Sequence, residues 1–175
     1  NSTYGSFDRL LHLNSYLCSY SVNSTHLNTG TVLKMEEKGS IDYWLCVTPD
    51  CDLVPYQAKK KWKDRLGEDY SSFQAIKLFL IERPSSPKKL VKSFNQNEHL
   101  FIKDDGEIKI FKITSNLPNS NPIWETFHAY QHGQYCENNT IKVQHLRITD
   151  RSDRLLYMTK RRVMVAVSQL RSEYA

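Results

Sequence analysis

Glycine and cysteine are both scarce in this chain, with 6 and 4 among its 175 residues. So few glycines do not suit a nucleotide-binding α/β core, and no Gly-rich phosphate loop, H-E-x-x-H or G-x-S-x-G segment occurs. Four cysteines do not make a disulfide-dense secreted scaffold, which favours a cytoplasmic domain with free or metal-bound thiols. Glycosylation triplets at Asn1, Asn23 and Asn138 point the other way, but a chain this rich in Asn, Ser and Thr produces such triplets by chance. No apolar run approaches the roughly 18 residues of a membrane-spanning helix. The longest, AIKLFLI, is interrupted by Lys77. There is no initiator Met and no basic-then-apolar leader, and the final VAVSQLRSEYA has no helix-stop signal, so a piece of a longer polypeptide is expected.

With 39% hydrophobic and 25% charged residues, the sequence fits one globular domain over 1–175 that buries most of its apolar surface. Leu10, Leu11, Leu13 and Leu17 lie near helical spacing and predict an N-terminal helix over 6–17, with Ser6 as its cap. TVLKM (31–35) and IDYWLCV (41–47) read as strands around Gly39 and Ser40. In the second, Ile41, Tyr43, Leu45 and Val47 share one face, and Asp42, Trp44 and Cys46 the other. Pro49 ends that strand, making TPDCD a turn. A further β-rich run covers 71–84. The firmest local signal is HLFIKDDGEIKIFKI (99–113), two strands joined through Asp105-Gly106. Strands over 122–130 and 140–148 follow. In the latter, apolar parity changes from Ile141 and Val143 to Leu146 and Ile148, which predicts a bulge near His145. Leu156, Val163, Val167, Leu170 and Tyr174 then follow helical spacing and predict a C-terminal helix. The expected fold is α+β, mainly antiparallel: a small sheet or SH3-like barrel with an N-terminal and a C-terminal helix.

Three groups of residues carry candidate chemistry. Cys46, Cys51, His128, His132 and Cys136 offer zinc-ligand types, with His128-x3-His132 matching the histidine half of a zinc pattern. Against this, Cys46 beside Trp44 suits a small buried hydrophobe. Cys51 at a strand-end turn is a candidate nucleophile, with Asp52 beside it and His128 or His132 as a base from elsewhere. Carboxylates on both sides of Cys51 disfavour a thiolate, and a turn whose Asp side chains bond backbone amides is the competing explanation. The third group is basic. Lys59, Lys60, Lys61, Lys63 and Arg65 surround Trp62, and Lys160, Arg161 and Arg162 form a second cluster. Cations beside an exposed aromatic suit phosphates and a stacked base, in keeping with a net charge of +5. Solvated surface charge accounts for the same runs.

TGTVLK (29–34), YWLCVTPDCDLVP (43–55) and VSQLRSEYA (167–175) together resemble the region after the receiver-like domain in bacterial response receiver domain proteins. The resemblance marks Gly30, Pro49, Cys51, Asp52, Leu170, Arg171, Tyr174 and Ala175, and assigns them no chemistry. It implies a bacterial signalling or phage-defence role. No receiver half with a phosphoacceptor Asp is legible. The chain is also loosely similar to toxin ribonucleases with an SH3-like barrel, but lacks their catalytic Arg with Ser, Thr or His. The sequence therefore leads to a non-enzymatic output or interaction module binding a protein partner or adjoining domain. The alternatives are a nucleic-acid-binding domain and a metal- or cysteine-dependent hydrolase or ribonuclease.

Overall fold

The computed structural model describes residues 2–55, 69–82, 86–96, 98–115, 117, 120–151 and 154–172. In chain order the elements are α1 (Ser2–Cys18), β1 (Ser19–Tyr20), β2 (Thr31–Glu37), β3 (Ser40–Cys46), α2 (Asp50–Leu53), β4 (Tyr70–Ile81), α3 (Pro87–Asn95), β5 (Leu100–Asp104), β6 (Glu107–Lys112), β7 (Trp124–Tyr130), β8 (Thr140–Arg151) and β9 (Arg154–Leu170). All strand pairs are antiparallel. The sheet runs β3-β2-β9-β8-β7-β4, and the β3–β4 pairing joins its two ends into a closed six-stranded barrel. The barrel-like, mainly antiparallel expectation holds.

Each barrel strand sends two apolar side chains inward: Leu33 and Met35, Trp44 and Cys46, Phe73 and Ala75, Phe127 and Ala129, Ile141 and Val143, Met164 and Ala166. This is the period-two alternation of a strand, repeated around a closed wall. Phe127 is the hub. Its ring meets Trp44 edge-on at 5.1 Å, stacks on Phe73 at 5.5 Å and touches His145 at 4.9 Å. Leu27 and Leu53, from the connections at one end, complete this core.

A second core lies outside the barrel. Val32, Tyr43, Leu45 and Leu78 point outward from β2, β3 and β4, and are covered by Leu11 and Cys18 of α1, Leu90 of α3 and the β5–β6 hairpin. Both predicted faces of 41–47 are therefore buried over Tyr43–Cys46, each in its own core, whereas Ile41 at the strand start is 47% exposed. The two hairpins use paired left-handed residues, Lys38-Gly39 (φ 51° and 78°) and Asp105-Gly106 (φ 53° and 82°), whose twist matches the flanking strands.

Two expectations are corrected. The predicted C-terminal helix is β9, a strand of 17 residues. Its interior face carries Met164 and Ala166, but Val163, Val165 and Val167 occupy the alternate positions, so apolar residues fall on both faces and mimic helical spacing. Branching at Cβ favours the extended form of such a run. The bulge near His145 is absent, because β8–β9 register runs unbroken from Thr140↔Val165 to Arg151↔Arg154. The change in apolar parity instead marks where β8 leaves the barrel, since its pairing with β7 ends at His145.

Candidate functional site

The TPDCD segment, predicted as a turn, runs into the short helix α2 at Asp50 and fastens one end of the barrel. Val47 donates its amide to Gln74 O (3.0 Å), and the Gln74 amide donates to Thr48 Oγ1 (2.7 Å), holding the end of β3 against β4. Asp50 Oδ1 accepts from the Thr29 amide at 2.7 Å, and Thr29 Oγ1 donates to Thr48 O at 2.5 Å. Gly30, at φ 83°, donates to Cys46 O and accepts from the Leu170 amide, tying β2 to both neighbours. Thr31 Oγ1 adds a 2.8 Å bond to Gln169 Oε1. Gly30 and Leu170 of the resemblance thus meet in one polar latch, with Asp50, next to Pro49, as its bonding carboxylate. Tyr174 and Ala175 lie outside the described residues.

The candidate ligands and catalytic groups are distributed around the fold. Cys46 lies inside the barrel, where burial pushes its thiol up to about 12 and leaves it a packing residue. Cys51 is exposed, its Sγ 3.9 Å from Asp52 Oδ1. His128 is on the outer wall with Nδ1 2.8 Å from Ser72 Oγ, and burial, then the nearby His145, lowers its pKa. His132 (φ 54°) has Nδ1 3.2 Å from Ser71 Oγ, and exposed Cys136 follows two residues after Gln134. Among the described residues, no three His, Cys, Asp or Glu side chains are grouped so as to hold a metal.

The first basic run, Lys59 to Arg65, lies outside the described residues. The second is split by strand alternation, which a helix would not have done. Lys160 and Arg162 turn to the barrel mouth and both contact the Glu37 carboxylate on β2, whose pKa is held down first by the Lys160 hydrogen bond. Asp42–Lys77 (2.7 Å) and Glu125–His145 (2.8 Å) lie on the other neighbouring strand pairs. Glu37, Asp42, Lys77, Glu125, His145 and Arg162 each sit two residues beyond an inward apolar side chain. Every barrel strand thereby adds one ionisable group to a ring above the core, made of two ion pairs and one histidine–carboxylate contact.

Arg161 takes the opposite face and lines an outer pocket of about 460 Å³ with Tyr70, Tyr130, Lys142, Gln144 and Val163. The tyrosine rings lie 5.4 Å apart at 58°, and Gln144 Nε2 donates to Tyr70 Oη at 3.1 Å. Lys142 and Arg161 are exposed, and no carboxylate lines the pocket. No family model, characterised protein or solved structure matches this chain.

Sequence reasoning found Arg161 but missed Tyr70, Tyr130, Lys142 and Gln144. The usable signal was the alternation of Lys142 and Gln144 with inward Ile141 and Val143, which marks a strand with one open face. Around this pocket, β7 and β8 contribute nothing to the second core; His128 is buried on this wall, while Thr126, Lys142 and Arg161 are exposed. No described helix is long and apolar enough to cross a membrane.

A further polar cluster is structural. Asp104 is buried and accepts at Oδ2 from Tyr43 Oη (2.7 Å) and Lys109 Nζ (2.5 Å), with Lys34 Nζ at 3.2 Å. Burial alone would raise its pKa. The hydrogen bonds from Lys109, Tyr43 and Lys34 outweigh that and hold it below the usual carboxylate range. The cluster pins the β5–β6 hairpin to the barrel wall.

Proposed function

We propose that the chain is a non-enzymatic interaction module that binds a polyanionic chain on this wall of its barrel. The observation that carries this reading is the outer pocket: a tyrosine pair and two exposed cations, Lys142 and Arg161, with no carboxylate among the lining residues. Lys160 and Arg162, by contrast, share the single carboxylate of Glu37. Fixed cations in a shallow groove attract a polyanion at long range and release its counterions on contact. A role without catalysis is supported by the dispersal of Cys51, His128 and His132 among separate hydrogen-bonding arrangements. An output role in bacterial signalling or phage defence, in the cytoplasm, is what the response receiver resemblance implies.

The test is a salt series with two probes, a single-stranded oligonucleotide and polyglutamate, followed by fluorescence anisotropy. Log affinity should fall linearly with log salt for at least one probe. Arg161→Ala should reduce that slope by about one, the release associated with one phosphate contact. Absence of binding by both probes at low salt sinks the reading.

A further inference from the structure

We infer that the pocket between Tyr70, Tyr130, Lys142 and Arg161 is a nucleobase pocket, and that the polyanion is a single-stranded nucleic acid. This rests on the proposed polyanion-binding reading and narrows it. A surface that needs only to attract negative charge requires cations and nothing else. This one is concave, with a volume of about 460 Å³, inside the range of small-molecule sites. It also holds three features that a bare polyanion does not use.

The first is the aromatic pair. Tyr70 and Tyr130 face each other across β4 and β7 as register partners, 5.4 Å apart and tilted by 58°. Both are only partly buried. A core pair would be sealed, whereas these rings flank an open cavity and supply a surface on which a base can stack. The second is the amide. Gln144 spends one N–H on Tyr70 Oη, which fixes its orientation and leaves a second N–H and a carbonyl oxygen for a base edge. The third is placement of charge. Lys142 and Arg161 come from β8 and β9 at the rim, outside the aromatic pair, and have no ion-pair partner among the described residues. Both lie on the β8–β9 side of the aromatic pair, where the phosphate on that side of a stacked base would meet them.

A duplex does not satisfy this geometry, because its bases are stacked on one another and unavailable to a tyrosine face. An acidic peptide would use the cations and leave the aromatic pair idle. Thr126, Lys142 and Arg161 are exposed on β7, β8 and β9, so a strand has access along this part of the wall.

The experiment compares the affinity of the full chain for an oligothymidylate and for an abasic deoxyribose-phosphate strand of equal length, at one fixed salt concentration. The wild-type protein should prefer the base-bearing strand by at least about tenfold, in line with stacking of one base. Tyr130→Ala should abolish the preference and Tyr130→Phe should keep it, with circular dichroism confirming that each variant is folded. Arg161→Ala should weaken both strands alike. Equal wild-type affinity for the two strands overturns the base pocket and leaves the polyanion reading standing. Failure to bind either strand or polyglutamate at low salt overturns both. A preference that survives Tyr130→Ala in a folded protein also overturns the assignment, since the base is then held elsewhere.

Discussion

The barrel has two outer walls built from the same alternation, with opposite fates. On β2, β3 and the upper part of β4, outward positions hold Val32, Tyr43, Leu45 and Leu78, and a second layer covers them. On β7, β8 and the facing part of β9, outward positions hold Thr126, Lys142, Gln144 and Arg161, and no second core forms. The interior is equally apolar behind both walls. The difference teaches that stability and recognition are separated by side, because packing can be optimised on one wall without constraining the chemistry of the other.

The largest expected effect is therefore on the covered wall. Phe111 is fully buried and its ring lies 4.8 Å from that of Tyr43. Phe111→Ala should cost about 3–5 kcal/mol in urea unfolding, through lost burial and the cavity left behind. A cost under about 1 kcal/mol would mean that the second layer contributes little and that the two walls are alike.

Next comes the pin beneath the hairpin. Asp104→Asn leaves Lys34 and Lys109 facing a neutral amide, at a cost of about 2–3 kcal/mol at neutral pH. The pH dependence has a definite sign. A carboxyl whose pKa is lower folded than unfolded stabilises above its unfolded value, and that contribution is lost as pH falls through the folded one. The stability difference between wild type and Asp104→Asn should hence shrink below about pH 4. A difference independent of pH would contradict the role given to Asp104.

The smallest effect sharpens the other wall. Glu37→Gln frees Lys160 and Arg162 from their shared carboxylate, so polyanion affinity should rise by roughly threefold and its salt slope should steepen. Unchanged affinity would confine binding to Lys142 and Arg161.

Local signals served the sequence reading well where one principle dominated. Asp105-Gly106 specified its hairpin, because only certain residues accept two left-handed positions in succession. Pro49 ended β3 as expected. The reading failed at β9, where interior Met164 and Ala166 interleave with Val163, Val165 and Val167 and erase the period. It also failed at the pocket, because Tyr70, Tyr130, Gln144 and Arg161 come from four strands, and only the β4-β7-β8-β9 pairing order brings them together. The ring of ionisable groups was hidden for the same reason: Glu37 and Arg162 become neighbours only through the β2–β9 pairing.

That pairing also sets an order of events during synthesis. β9 is the latest of the strands in sequence, yet it joins β1, β2 and β8 in the sheet. Until it leaves the ribosome, one edge of β2 has no partner and the ring of strands stays open, with its apolar lining exposed. Contacts of such long sequence separation form slowly, and unpaired edges invite association with other chains. A nascent chain halted just before β9 should accordingly be a client for chaperones, and release of this one strand would convert it into a closed, protease-resistant domain.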